Sequence, residues 1–435
     1  MFARIGGRLL PFLFLLYLIN YIDRVNVNVA SLPMYHDLGS HGFTEKVFGF
    51  GSGIFFIGYA LFGIPSNLML EKFGPRAWVC FIMLIWGVIS SAMMFVAGPI
   101  SYCSLRLALG VAMAGFFPGM ILYLTYWFPA ARRARAVATF MTASAIAGVL
   151  GGPISAMLLR MDGIAHLAGW QWVFLVEGIP PILLAFVVYY VLPNRPDEAK
   201  WLAEADRARV DELLAADARS GGAKQSTSLL SAVTDGRVWL LVAVYFCISV
   251  GMYCVAFWLP KMIKQAWPGH ADWQVSLMTA IPFGAAAVGM VAIGRHSDHT
   301  AERRFHAAGS LLLGAAGAIA ATLLAAHPLP CIAALCVAAT GVWGAFGPFW
   351  AMPSAFLGGT AAAGGIALIN CLGGLGGFAG PALIGWLKQH FGGFTAGLLM
   401  MAAVLTAGAI LAMFVNLPKR AAEPQRGFEV AAANT

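Results

Sequence analysis

Apolar runs of about 20 residues recur twelve times along these 435 residues, and that recurrence limits the fold more than any other feature. A helix rises about 1.5 Å per residue, so about 20 residues cross a hydrocarbon core of about 30 Å. The runs fall at about 9–32, 47–70, 77–98, 100–125, 136–159, 171–193, 238–260, 275–294, 306–326, 329–357, 361–387 and 394–416. Only 11% of the residues are charged and 60% are hydrophobic, too little charge to cover the surface of a water-soluble domain this long. Fifty glycines suit helices that must pack closely, since lipid gives no hydrophobic push between them. The expected fold class is an all-α membrane protein with twelve transmembrane helices.

An even number of spans puts both ends on one side, and Lys and Arg choose the side. Of the 27 Lys and Arg, 20 lie in the tails and the loops on the side of the termini, among them Arg76, Arg303, Lys419, Arg420 and Arg426. Lys46, Arg160, Lys261, Lys264 and Lys388 fall to the other side, and Arg24 and Arg106 fall within spans. The termini are therefore expected in the cytoplasm of a cell whose inner (plasma) membrane holds the chain. The net charge of +8 then reflects topology and not a nucleic-acid surface. The first run is too long for a signal peptide and has Asp23 and Arg24 inside it. No C-x-x-C pair, no H-E-x-x-H and no metal-spaced cluster occurs, so no enzyme activity, metal or cofactor is expected.

The one long polar stretch parts six spans from six. The expected units are a six-helix bundle over 1–193, a cytoplasmic linker over 194–237, a second bundle over 238–417 and a cytoplasmic tail over 418–435. Internal repetition makes the two bundles pseudo-symmetric. Gly148-Val-Leu-Gly-Gly-Pro153 recurs as Gly376-Gly-Phe-Ala-Gly-Pro381, 228 residues on. Glu71 and Asp298, and Arg76 and Arg303, are each 227 apart and read as latches between neighbouring helices on the side of the termini. Close packing and a kink are the direct role of the Gly-Pro motifs, and rocking of one bundle over the other follows from it.

An ionisable side chain in mid-membrane costs at least about 2.5–3.5 kcal/mol and so marks function by default. Asp23, Arg24, Arg106 and Glu177 qualify. Arg24 and Asp23 fall about 14–15 Å below the outer boundary, Arg106 about 9 Å and Glu177 about 10 Å. Two guanidinium groups at similar depth repel unless an anion lies between them, and their planar fork matches a carboxylate. Arg24 and Arg106 therefore read as an anion clamp, the alternative being structural ion pairs with Asp23 or Glu177. Asp23 points about 100° away from Arg24 around the helix. Balanced between desolvation and a nearby cation, it suits proton coupling, the alternative being a permanently ionised partner of an arginine. Glu177 reads as a buried structural carboxylate, with a second proton site as the other possibility. The second bundle is expected to hold no mid-membrane charge and offers instead Tyr245, Tyr253, Trp258, Trp343, Phe349, Trp350 and Asn370, aromatics to wall the organic part of a substrate and an amide to hydrogen-bond it, the alternative for Trp258 and Trp350 being anchors at the membrane interface.

These residues sit in stretches that resemble the anion:cation symporter branch of the major facilitator superfamily, especially its tartrate, phthalate and hydroxyphenylacetate permeases. The first span from Arg8 through Asp23-Arg24, Gly58-Tyr59 to Asn67, Gly294-Arg295-His296-Ser297-Asp298 with Glu302-Arg303-Arg304, Gly347 to Pro353, and Gly364 to Asn370 are similar to that group's segments. The likeness runs from about residue 8 to 417. It implies Asp23 as the proton site and Arg24, Tyr59 and Arg106 as ligands of the substrate carboxylate. Two positions depart: Met113 stands where the group has a protonatable Glu, and Gly374 where it has an Asn. The expected function is secondary active import of a small organic carboxylate with protons by alternating access, acting as a monomer. An anion exchanger or uniporter without proton coupling, or a proton-driven drug exporter, are the alternatives.

Overall fold

The computed structural model describes residues 1–222, 234–300, 302–353 and 359–416, which form helices and connecting turns with no strand among them. The tail at 418–435, with Lys419, Arg420 and Arg426, and residues 223–233 of the expected linker lie outside the described residues. Among the described residues twelve helical segments are long and apolar enough to cross a bilayer. In chain order the helices are α1 (Phe2–Leu38), α2 (Glu45–Phe73), α3 (Pro75–Ala92), α4 (Pro99–Met113), α5 (Phe116–Thr125), α6 (Ala130–Leu159), α7 (Gly169–Val191) and α8 (Glu204–Gly222). They continue as α9 (Gly236–Ala266), α10 (Asp272–Met278), α11 (Ala280–Thr300), α12 (Arg304–Leu323), α13 (Pro328–Gly344), α14 (Phe346–Ala351), α15 (Gly359–Gly373), α16 (Gly376–Phe391) and α17 (Thr395–Met413).

Several spans expected as single helices are broken. The fourth and tenth break alike, between Met113 and Phe116 and at Ala345, and each new helix carries proline at its third residue, Pro118 and Pro348. Proline lacks the N–H that a helix interior uses but the first turn does not, so it favours a fresh helix start. The first span runs well past its expected limits: α1 has 37 residues, about 55 Å, so it projects beyond the hydrocarbon.

Within the first half α1 packs on α6 and α7, α2 on α4, and α3 on α7; within the second, α9 packs on α15, α16 and α17, α11 on α13, and α12 on α13 and α17. The halves meet where α2 crosses α16, α6 crosses α10 and α11, and α1 crosses α9. Small residues make these crossings close. A Cβ on Gly49 would collide with the Pro381 carbonyl and Gly385, and Ser276 Oγ donates to Gly152 O at 2.9 Å. The duplicated Gly-Pro motifs thus both lie at crossings between the halves.

On the side of the termini the polar segment after α7 folds back on the first half. Arg76 donates to Leu192 O at 2.8 Å, to Asn194 Oδ1 through its backbone at 2.9 Å, and pairs with Glu198 at 2.8 Å. Arg8 stands over Trp201, which stacks on Trp127. In the second half Arg303 pairs with Asp298 at 2.6 Å. The two latches therefore differ: Arg303 holds Asp298, while Arg76 holds Glu198 and not Glu71, because the connecting segment supplies a nearer carboxylate.

Candidate functional site

Between the halves lies a cavity. From the first half it is lined by Tyr17, Tyr21 and Arg24 of α1, Phe56 and Tyr59 of α2, Phe117 and Ser144; from the second by Tyr245, Met252, Tyr253, Trp343, Phe346, Trp350, Asn370, Cys371 and Gly374. Tyr17, Tyr21 and Arg24 are spaced i, i+4, i+7, one face of a helix, a periodicity that marks them in the sequence once Arg24 is taken as facing the cavity.

Among the described residues Arg24 is the one charged side chain in that lining. It donates to Asn20 Oδ1 at 3.2 Å and to Tyr253 OH at 3.5 Å, the second bond crossing between the halves. Its guanidinium lies 5.0 Å from the Tyr59 ring centre and 5.6 Å from that of Phe55. Its Nε has no partner although it is buried, and so does the Tyr21 hydroxyl. Such donors are costly to leave unmade in a dry interior. They offer an anion in the cavity a hydrogen bond each.

Asp23 turns the other way. Trp86 Nε1, Ser90 Oγ and Asn26 Nδ2 all donate to its carboxylate, and it is fully buried against α3. Glu177 accepts from Ser155 Oγ at 2.8 Å, while its second oxygen is buried without a partner. Among the described residues neither Arg24 nor Arg106 forms an ion pair with Asp23 or Glu177.

Arg106 is fully buried and does not reach the cavity. It donates to Ser52 O at 3.4 Å and lies 5.0 Å from the Phe55 ring centre and 5.7 Å from that of Phe257, with Nε and Nη1 unpaired. Gly110, one turn on, sets this arrangement: a Cβ there would collide with the Phe55 carbonyl, so only glycine lets α2 pass that close to α4. The two arginines therefore meet at Phe55 and not around a shared space. Met113 is buried as well, off the cavity, whereas Gly374 lines it.

Of the expected aromatic wall, Tyr245, Tyr253, Trp343 and Trp350 line the cavity with Asn370, and Phe349 does not. Phe349 stacks behind Tyr245, ring centres 5.3 Å apart. Trp258 is also elsewhere, fully buried beside Lys261. Lys261, on the expected bounds a loop residue, lies inside α9, buried, and pairs with Glu45 at 3.0 Å. The second half thus does hold a charge within a span.

The sequence model of the Major Facilitator Superfamily matches residues 13–381. A protein named "Putative tartrate transporter" from Agrobacterium vitis is 46% identical over 412 residues, which cover 95% of this chain and 90% of that one. One named "Quinolone resistance transporter" from Acinetobacter baumannii is 40% identical over 408 residues, 94% of this chain and 93% of that one. Among solved structures, a bacterial homolog of the human lysosomal transporter Spinster, inward-facing and occupied, superposes with a TM-score of 0.75 at 17% identity, over 94% of this chain and 96% of that one. At that identity the likeness is one of fold.

Proposed function

From the membership of this chain in the Major Facilitator Superfamily, and so from its being a multi-pass membrane transporter, we propose that it imports a small organic carboxylate with protons. The observation that carries the reading is Arg24: a buried guanidinium with an unpaired N–H and, among the described residues, the single charge in the lining of a cavity between the halves. A planar cation among tyrosine hydroxyls is chemistry for a carboxylate. Tyr59, Tyr253 and Asn370 surround the anion, Trp343 packs on its organic part, and Arg106 joins as a second ligand once Phe55 turns aside. Phe349 acts only through Tyr245. Asp23, one residue from Arg24 but facing α3, carries the coupled proton, and Glu177 is the other candidate carrier. The relative named for tartrate supports the substrate class.

In this reading 1–193 and 238–417 are the two rocking units, 194–237 is a cytoplasmic linker, and a monomer works in an inner membrane with its termini in the cytoplasm. Export of an aromatic drug is a second reading, favoured by the wall of Tyr245, Trp343, Phe346 and Trp350 and by the relative named for quinolone resistance. One experiment separates them. Thermal stabilisation of the purified protein is measured with L-tartrate, gluconate, 4-hydroxyphenylacetate and a quinolone, on the unaltered chain and on Arg24→Ala. Stabilisation by an acid that Arg24→Ala abolishes supports import of a carboxylate. Stabilisation by the quinolone alone, retained in Arg24→Ala, sinks it.

A further inference from the structure

On the side opposite the termini, away from the cavity, four side chains form a charged cluster. Glu45 opens α2, while Lys261 and Lys388 lie in α9 and α16, so both ion pairs join one half to the other, at 3.0 Å and 2.6 Å. The Tyr35 hydroxyl donates to the same carboxylate at 2.6 Å. The Lys261 side chain is 3% exposed, and its ammonium stands 3.6 Å from the Tyr35 ring centre, 3.7 Å from that of Phe48 and 4.8 Å from that of Trp258. The Lys388 ammonium stands 4.3 Å from the Phe394 ring centre and 5.8 Å from that of Trp258. Trp258 is fully buried, and its indole N–H has no acceptor.

Two lysine amino groups thus share one carboxylate, and with both protonated the cluster carries one unbalanced positive charge. A cycle that opens this side must part the halves here. Glu45 then leaves with α2, and both lysines remain with the second half. A buried cation stripped of its partner is strongly unfavourable, the more so with a like charge beside it. A transported carboxylate arriving from this side restores what Glu45 removed, by exchange of one carboxylate for another. The Trp258 indole, unpaired while Glu45 is in place, is free to donate to the newcomer, and aromatic faces wait for its organic part.

Resting on the reading of a carboxylate importer, we infer that Lys261 and Lys388, walled by Trp258 and Phe394, form a second carboxylate-binding site that Glu45 occupies when this side is closed. Lys261 lies eight residues beyond Tyr253 on α9, so the site stands about 12 Å from the cavity. It would hold the anion before the anion reaches Arg24, and Glu45 would compete for it.

The test is uptake of radiolabelled L-tartrate and 4-hydroxyphenylacetate into proteoliposomes of known orientation, with KM read separately from each side. Lys388→Gln should raise KM from the Glu45 side about tenfold or more, the worth of one charge-assisted hydrogen bond, and leave KM from the side of the termini unchanged. Glu45→Gln, which removes the competitor, should lower KM from the Glu45 side. A mere latch predicts that both substitutions loosen the same closure and move KM the same way, and that result overturns the site. Lys388 is 18% exposed, so its substitution disturbs the packing less than one at the buried Lys261. Lys261→Met, which fills the aromatic box without charge, should reproduce the Lys388→Gln effect. If the unaltered protein takes up neither acid, the carboxylate reading falls and this site with it. If it takes up either and Lys388→Gln matches its KM on the Glu45 side, the site alone falls.

Discussion

Arg24 and Arg106 press on one ring, their guanidinium carbons 5.6 Å and 5.0 Å from the centre of Phe55. The faces of a benzene ring carry partial negative charge, so Phe55 attracts both cations while no anion is present. That attraction is weaker than a carboxylate's by far, and both groups keep unpaired N–H donors. Each arginine is expected to be needed for substrate binding: Arg24→Ala and Arg106→Ala should weaken carboxylate binding about 10- to 100-fold in calorimetry, the loss of one charged partner in a desolvated site. Arg106→Lys should rescue poorly, since an ammonium lacks the fork. Unchanged affinity in Arg106→Ala would leave that residue as a cation pinned by Phe55 and Phe257.

Asp23 receives three donors, from Trp86, Ser90 and Asn26, and all three suit an oxygen. Asp23→Asn puts an NH2 where one of those donors points but leaves the crossings between the halves untouched. Counterflow of substrate across proteoliposomes should therefore persist in this variant. Accumulation driven by a pH gradient should vanish. Gradient-driven accumulation at the unaltered rate would remove Asp23 from proton coupling.

Gly110 is where α4 touches the α2 backbone at Phe55. Gly110→Val must push the two helices apart, an overpacking that costs about 1–3 kcal/mol, and it shifts Phe55 between the arginines. A lower melting temperature and weaker carboxylate binding should appear together. Gly7→Ala, where a Cβ meets nothing, should change neither.

What could be read from the sequence was what depends on one helix at a time. Twelve spans followed from hydropathy, and the divergence of Asp23 from Arg24 followed from 100° per residue. Pairings between helices did not follow. The apolar run stops at Pro260, which puts Lys261 in a loop, yet α9 continues to Ala266 and the charge is met by Glu45, 216 residues earlier. Helix rise gives the depth of Arg106, but its lodging behind Phe55 depends on how closely α2 passes Gly110. Trp258 and Phe349 have the composition of cavity walls and pack elsewhere, since an aromatic side chain does not announce which neighbour it faces.

Glu198 gives a pH-dependent contribution outside the membrane. Its burial raises the carboxyl's pKa, but hydrogen bonds from the Asn194 side chain and backbone and the charge of Arg76 outweigh that, and it lies below its ordinary value of 4.5. A carboxylate depressed by folding adds stability that is complete above its unfolded pKa and is lost as pH falls through its folded one. The melting temperature of the unaltered protein should therefore exceed that of Glu198→Gln at pH 7, and the gap should close on acidification below 4.5. A gap independent of pH would mean that Glu198 acts through shape and not charge.

The proton count follows from Met113, a thioether that carries no proton, buried away from the cavity. In the proposed cycle Asp23 is then the single carrier, Glu177 being held by Ser155. One proton with a monocarboxylate then moves no net charge. One proton with a dianion moves a net negative charge inward, which an inside-negative potential opposes by about 2.3 kcal/mol per 100 mV. A second proton would make the monocarboxylate cycle electrogenic and the dianion cycle neutral. A single coupling site thus favours monoanions such as aromatic or sugar acids over dianions such as tartrate. In proteoliposomes with the pH gradient fixed and the potential clamped at several values, 4-hydroxyphenylacetate or gluconate should enter at a rate independent of potential. Acceleration by an inside-negative potential means a second positive charge travels with the substrate. Glu177, whose second carboxylate oxygen is unpaired, would then be its carrier, and Glu177→Gln should restore independence from the potential.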